Sequence, residues 1–307
     1  MSAAVSTATI ARVVVNPAAR GAASLPLLEI GHPFRTVIER GHSKDAACAI
    51  VKDSARRGEL VVVAGGDGSL HAAVNALGDV VASIGLLPLG TANDFARDTG
   101  LPLDPMHAAA RIATGSARAL DMLRINGARC AGGGGFGLPG LCLDSVDELR
   151  GSDSPFTRAL VHLAGDRVYQ AAAARHLVPA PQRLSVRASW TTPTGQARSW
   201  NTVVVGAFFL NQPTVAGGLP ISPRAVRDDG VFELCFIRAA PAPVLFRCLL
   251  RLARGIPDDG EVVVVVPATR ARLELRHAVA VFADGELLAE SNVVDVDLLP
   301  RALSLVH

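Results

Sequence analysis

Two glycine turns in the first third of the chain constrain its fold more than any other feature. The first is Gly65-Gly66-Asp67-Gly68-Ser69; the second is Pro88-Leu89-Gly90-Thr91-Ala92-Asn93-Asp94-Phe95-Ala96-Arg97. Each ends an apolar run, residues 59–64 and 84–89, and each opens into helical spacing, residues 69–77 and 93–99. Strand, glycine turn and helix in that order is the joint of an α/β sheet, whose ligands gather beyond the carboxyl ends of the strands. An apolar strand at 11–15 ending in Asn16-Pro17, and helical spacing at 43–57 and 105–114, extend the same alternation. Residues 1–125 therefore read as an α/β domain with a mostly parallel sheet.

Glycine at such a turn lets backbone N–H groups close on an anion, and the following helix N-terminus adds about half a positive charge. Asp67 can cap that helix or hold Mg²⁺ beside phosphates. Thr91 can cap the second helix or touch a phosphate oxygen. Asn93 and Asp94 fall in its first turn, where they satisfy N–H groups or reach substrate, and Phe95 reads as core. Two such turns brought together make a phosphate cradle with carboxylates at hand, the equipment of a phosphotransferase. The sequence has no GxxxxGK[ST] loop and no protein-kinase HRD or DFG set. Residues 132–137 fit G-x-G-x-x-G, but Pro139-Gly140 stand where a dinucleotide-binding helix should begin. A flexible loop or close backbone packing is the expected use of those glycines.

Beyond residue 125 the pattern turns β-rich, with strands at 183–191, 198–210, 231–237, 261–266, 270–276, 279–283 and 293–299. Helical spacing covers about 156–174 and 243–254. Residues 126–307 thus read as a sandwich-like second domain whose C-terminal segment can pack back on the first, with the active site in the cleft between the domains. Two acidic turns lie here, Asp228-Asp229-Gly230 and Asp284-Gly285-Glu286. Asp-Gly is a hairpin signal, so each can be a turn and nothing more. Phosphoryl transfer to an alcohol also needs a carboxylate near the hydroxyl proton and another near the metal. The first domain offers Asp67 and Asp94, and the second can supply a base. His71, His107, His162, His176 and His277 show no metal-ligand spacing, and the arginine-bearing stretch 158–175 reads as a solvated helix face before a membrane surface.

Composition narrows the partners. A net charge of +2 over 307 residues implies no nucleic-acid field. Only Lys44 and Lys52 are lysines among the basic residues, so a phosphate-binding cation here is expected to be arginine. The five cysteines show no CxxC spacing, which fits reduced thiols in a cytoplasmic protein. The first ten residues lack the order of a signal peptide, and no run approaches the roughly 20 apolar residues of a membrane span. A lipid substrate would be met transiently, from the water side of the membrane.

With these motifs in this order, the chain resembles the soluble bacterial diacylglycerol kinase and lipid kinase family, whose catalytic domain is related to those of sphingosine and ceramide kinases. The matching features are Asn16-Pro17, Gly65–Ser69, Pro88–Arg97, Asp121, residues 131–134, Asp229-Gly230-Val231 and Asp284-Gly285-Glu286. The resemblance implies an ATP- and Mg-dependent kinase of a lipid such as diacylglycerol. It places ATP along Asn16, Gly65, Gly66, Asp67, Gly68, Ser69 and Thr91, with Asn93 and Asp94 beside it. Asp67 would serve the catalytic Mg²⁺ or the substrate hydroxyl; Glu286 would accept the proton, with Asp284 nearby. A structural Mg²⁺ would rest on the Asp229 side chain and the carbonyls of Val226 and Val231. Three departures stand out: Ser69 replaces a threonine, Ala72 replaces a glutamate, and Arg40 or Ser43 falls where an adenine-side threonine is usual. Two other readings stay open: a kinase of a soluble acceptor, as NAD kinases also carry a GGDG-type turn, and a nucleotide-binding regulator without catalysis. Oligomeric state, a homodimer included, is open as well.

Overall fold

The computed structural model describes residues 9–16, 29–90, 92–151, 167–177, 180–215, 219–256 and 260–307. The chain divides into two compact units, residues 1–120 with 301–307, and residues 121–300.

In unit 1 the order is β1 (Thr9–Val15), β2 (Phe34–Arg40), α1 (Lys44–Arg56), β3 (Leu60–Gly65), α2 (Asp67–Leu77), β4 (Ser83–Pro88), α3 (Asp94–Asp98) and α4 (Pro105–Thr114). β3, Leu-Val-Val-Val-Ala-Gly, is buried at every position, as a strand covered on both faces must be. β1 pairs in parallel with β2 and β3, and β3 pairs in parallel with β4. α1 starts where Ser43 caps it, its Oγ accepting from the Ala46 N–H at 3.2 Å, and it buries Ala47, Val51 and Ala55. Asp104 caps α4 in the same way, with Pro105 in the first turn, where the missing N–H costs nothing. Residues 301–306 return as the end of a strand beside β4, with Ser304 opposite Ser83 and Leu305 opposite Ile84. Leu303, Leu305 and Val306 are buried there.

β2 carries no strong strand signal in the sequence, because an edge strand leaves its side chains half-exposed. One ion pair ties it to the interior. Arg12 on β1 donates two hydrogen bonds to Glu59, Nε–Oε2 at 2.6 Å and Nη2–Oε1 at 3.0 Å, and a third to Glu39 at 2.9 Å. The Glu59 side chain is only 8% exposed. Hydrogen bonding to Arg12 is the chief reason the Glu59 carboxyl is held down to about 2, against burial, with help from Arg57. A depressed carboxyl pKa adds stability that is present above the usual carboxylate range and lost as pH falls toward the folded value. Between about pH 4.5 and pH 2 the protein is therefore expected to lose roughly 1–3 kcal/mol through this residue, and Glu59→Gln should flatten that part of the curve. Urea unfolding as a function of pH checks it; equal acid limbs for both proteins would disprove the assignment.

Unit 2 opens with the end of β5 (Ala117–Ile125), then β6 (Ala128–Cys130), β7 (Gly133–Gly137), α5 (Leu138–Gly151), α6 (Arg167–Arg175), β8 (Leu184–Thr191) and β9 (Ala197–Leu210). It continues through β10 (Thr214–Val215), β11 (Leu219–Pro220), β12 (Phe232–Arg238), α7 (Ala242–Leu252), β13 (Val263–Ala268), β14 (Arg270–Ala283) and β15 (Glu286–Val306). The main strand order is β13-β12-β9-β7-β14-β15, with β8 bridging β9 and β14, and the pairings among these are antiparallel. One core holds Phe136, Phe209, Phe232 and Phe236, with Trp200 edge-on to Phe236 at 5.3 Å. A second packs Leu245, Cys248 and Leu252 of α7 on Val205, Leu210 and Cys235 of the strands.

Of the two uses expected for the glycine run 132–137, the structure has close backbone packing. The run is not a loop: residues 133–137 form β7, threaded between β9 and β14. A Cβ at Gly133 would stand 2.7 Å from the Phe209 carbonyl, and one at Gly134 or Gly135 would overlap the Phe282 or Ala207 carbonyl. Close backbone packing is the physical reason for these glycines. A helix does follow, α5, with Pro139 tolerated in its first turn. β7 is antiparallel to both neighbours, so the unit is not a dinucleotide-binding βαβ. Of the helix expected over 156–174, residues 156–166, His162 among them, lie outside the described residues; residues 167–174 fall in α6.

Candidate active site

The two glycine turns of unit 1 meet. A Cβ at Gly66 would stand 2.8 Å from Gly90 Cα, and one at Gly90 would stand 2.6 Å from Gly66 Cα. Only two glycines allow this approach. The Leu89 N–H donates to the Gly65 carbonyl at 2.9 Å, extending the β3–β4 ladder into the turns. Asn93 locks the second turn from within: its Oδ1 accepts from the Gly90 N–H at 2.9 Å and its Nδ2 donates to the Gly90 carbonyl at 2.8 Å. It does so in the left-handed region, φ 49°, with 9% of its surface exposed.

Asp67 spends its carboxylate across the gap. Oδ2 accepts from the Asp94 N–H and Oδ1 from the Phe95 N–H, both at 3.1 Å. The aspartate of the first motif therefore caps α3, the helix of the second motif, and not its own. α2 has Gly66 at its N-cap and no side-chain cap, so its N-terminal turn is left for another acceptor. Beside it, Asn16 Nδ2 donates to Ser69 Oγ at 3.2 Å. A small pocket opens there, lined in part by Asn16, Ser69, Ala72, Lys44 and Cys48. Asn16, Gly65, Gly66, Asp67, Ser69, Gly90, Asn93 and Asp94 thus form one connected network, with Gly68 in the first turn of α2. Thr91 lies outside the described residues. Of the two adenine-side substitutes, Ser43 has committed its hydroxyl to capping α1, and Arg40 sits exposed at the end of β2.

Unit 2 holds the acidic turns. Asp284-Gly285 is a two-residue hairpin between β14 and β15, with φ of 48° and 82° and Ala283 opposite Glu286. Positive φ at both positions is the geometry that Asp-Gly supplies. The turn is also a structural anchor. Asp284 Oδ1 accepts from the N–H groups of Gly132 at 2.8 Å and Gly133 at 3.3 Å, and Oδ2 accepts from Ala131 at 2.9 Å. The Cys130 thiol donates to the same Oδ1 at 3.0 Å. Glu286, half-buried, is left at the first position of β15.

The second acidic turn joins the same framework. Buried Asp121 accepts from the Gly230 N–H at 2.8 Å, and Asp229 Oδ1 accepts from the Val231 N–H at 3.1 Å. Partial loss of hydration pushes the Asp229 carboxyl up; the Val231 hydrogen bond opposes this, and the negative charges of Asp121 and Asp228 add to it. Among the described residues no group of three or more His, Cys, Asp or Glu is placed to hold a metal ion. The set expected from the sequence, one carboxylate with the carbonyls of Val226 and Val231, is of a different kind, oxygen donors from a single turn.

Several residues were not foreseen. Buried Arg227 donates from Nη1 to the Ala131 carbonyl at 3.0 Å and from Nη2 to Gln212 Oε1 at 2.6 Å. Buried Asn211 donates from Nδ2 to the Asp121 carbonyl at 2.7 Å. Arg227 thereby links the strand end that holds Asp284 to the turn that holds Asp229. The available signal was an Asn-Gln pair closing the apolar run of β9, and an arginine directly ahead of Asp228-Asp229-Gly230.

Comparison with known proteins also divides the chain in two. Residues 11–125 match the family described as "Diacylglycerol kinase catalytic domain", and residues 156–307 match "YegS C-terminal NAD kinase beta sandwich-like domain". The chain is 26% identical to the Diacylglycerol kinase of Bacillus subtilis over 249 residues, covering 79% of this chain and 76% of that protein. It is 29% identical to the Probable lipid kinase YegS of Salmonella gallinarum over 264 residues, covering 82% and 79%. A solved structure from Bacillus anthracis, described as that of a diacylglycerol kinase, shares the fold with a TM-score of 0.69 at 19% identity, covering 98% of this chain and 97% of that one. Among the described residues no helix is long and apolar enough to cross a membrane.

Proposed function

The chain belongs to the diacylglycerol kinase and lipid kinase family, and from that premise we propose that it transfers the γ-phosphate of ATP to the hydroxyl of a lipid alcohol, with Mg²⁺. The observation that carries the proposal is the pair of interlocked glycine turns, whose uncapped α2 N-terminus suits a phosphate group. Bound ATP supplies the phosphoryl group, and bound Mg²⁺ offsets its negative charge. Asn16 and Ser69 orient the phosphates with the α2 amides. Asp67 holds the second turn in place through α3, and its carboxylate supplies the hard oxygen donors that Mg²⁺ takes. Glu286 accepts the acceptor's hydroxyl proton as the acceptor oxygen bonds to the γ-phosphorus and the phosphorus–oxygen bond to the β-phosphate breaks, releasing ADP. Asp284 fixes the turn that presents Glu286. Around Asp229, crowding by Asp121 and Asp228 is a charge problem that a hard cation on Asp229 and the Val226 and Val231 carbonyls would relieve.

None of the five cysteines forms a disulfide, which suits a cytoplasmic enzyme that meets its substrate transiently at the membrane surface. The test is transfer from radiolabelled ATP into a total lipid extract, with the labelled product identified by mass spectrometry. Asp67→Ala should cut transfer by about 10²-fold or more, since α3 loses its cap and the phosphate side loses a carboxylate. Transfer to no lipid, or equal transfer by Asp67→Ala and the wild type, would sink the reading. Labelling of NAD in detergent-free buffer would point to a soluble acceptor.

A further inference from the structure

Lys44 is the one charged residue among those lining the pocket beside Asn16 and Ser69; the others are Cys48, valines and alanines. It stands at the first position of α1, where the helix dipole opposes positive charge. Asp45 falls about 100° further round the helix and is not among the lining residues. The frame around Lys44 is tight. The Gly41 N–H donates to the Val15 carbonyl at 3.2 Å, directly before Asn16, and a Cβ on Gly41 would stand 2.8 Å from the Ala47 nitrogen. The end of β1 and the start of α1 are thereby clamped through one turn. Across the pocket the Cys48 thiol donates to the Ala72 carbonyl of α2 at 3.7 Å. Burial pushes the Cys48 thiol up; the Lys44 charge opposes that rise and the Asp45 charge adds to it. The ammonium is thus felt inside the pocket, between α1 and α2.

We propose that Lys44 binds the phosphate chain of the nucleotide from the α1 side of this pocket, opposite Ser69 on α2. The inference rests on the kinase reading for the identity of its ligand. The groups assembled on the α2 side are neutral dipoles: a hydroxyl, an amide and the first N–H groups of a helix. A nucleoside triphosphate brings several negative charges, and a cation at the rim offsets what dipoles alone leave. Composition favours arginine for such a task, yet no arginine is among the described residues that line the pocket. Lysine suits it as a point charge on a flexible stem, reaching one phosphate oxygen while α2 holds the others.

The test is calorimetric titration of the full chain with ATP and Mg²⁺, in the wild type, Lys44→Gln and Lys44→Arg. Lys44→Gln is expected to weaken ATP by about ten-fold, and Lys44→Arg, which keeps the charge, to stay within about three-fold of the wild type. Lys44 is exposed and its charge is opposed by the α1 dipole, so the melting temperature of Lys44→Gln should hold or rise. Alkylation of Cys48 by N-ethylmaleimide, read by mass spectrometry of its peptide, locates the ligand. ATP should slow it in the wild type, and Lys44→Gln should need about ten-fold more ATP for the same slowing. The proposal is overturned if Lys44→Gln binds ATP like the wild type, if Lys44→Arg loses as much affinity as Lys44→Gln, or if ATP leaves Cys48 alkylation unchanged. These readings are taken without lipid and without turnover. A wild type that binds ATP in this way yet labels no lipid would sink the kinase reading and leave Lys44 in its role.

Discussion

Glu286→Gln is expected to lower lipid phosphorylation at saturating substrate by about 10²–10⁴-fold, the usual value of a positioned general base. Nucleotide affinity should stay within a factor of about two, since the proposed role of Glu286 is toward the acceptor's hydroxyl and not toward ATP. The side chain stands half-buried at the start of β15, outside the hydrophobic clusters of unit 2, so the change removes no core packing and should leave the protein folded. Asp284→Asn is the informative comparison. Asparagine tolerates the left-handed backbone at φ 48°, so the hairpin can persist. Its amide, however, cannot accept through both ends, and the charge that gathers the Ala131, Gly132 and Gly133 N–H groups is gone. Loss of activity together with a lower melting temperature is expected there, against loss of activity alone at Glu286. Single-turnover transfer with nucleotide titration by calorimetry separates the two. Unchanged turnover in Glu286→Gln would remove it from the reaction.

Gly90→Ala should be nearly as damaging by a different route. The added methyl would stand 2.6 Å from Gly66 Cα and 2.7 Å from Asn93 Oδ1, and backbone cannot swing away as a side-chain tip can. Relief requires the turns to part, which tilts the α2 N-terminus, and Asn93 to shift, which disturbs its two bonds to Gly90. Overpacking of this kind costs about 1–3 kcal/mol in stability, and nucleotide affinity should fall by at least about ten-fold once the cradle widens. Gly78→Ala is the control. It has a positive φ of 54° but nothing within 4 Å of the added atom. It should cost about 1 kcal/mol of backbone strain without touching nucleotide binding. Equal nucleotide affinity in both variants would mean that the interlocked turns do not form the phosphate wall.

Unit 1 was legible in the sequence because its rules are local. The runs 60–64 and 84–89 carry no charged or hydrogen-bonding side chain, the turns are glycine, and helical spacing follows each. What escaped notice was set by distant partners. The glycines of β7 look like a loop until the carbonyls of β9 and β14 on either side are known. Asp67 was legible as a cap or metal residue, but its helix was not, because the Asp94 and Phe95 amides arrive through the Gly66–Gly90 contact. The roles of Arg227 and Gln212 depend on the Ala131 carbonyl, which no spacing rule could have brought to them.

Residues 301–306 finish the sheet of unit 1, and that has a consequence for synthesis. A ribosome makes β4 some two hundred residues before its outer neighbour, so the β4 edge waits unpaired while the whole of unit 2 is made. The first unit in the chain cannot be the first to finish folding, which reverses the usual N-to-C order of domain completion. The waiting edge, Ile84 through Leu87, is apolar and open to any passing strand. Expression of residues 1–120 alone should therefore end in aggregates that a supplied C-terminal strand can prevent.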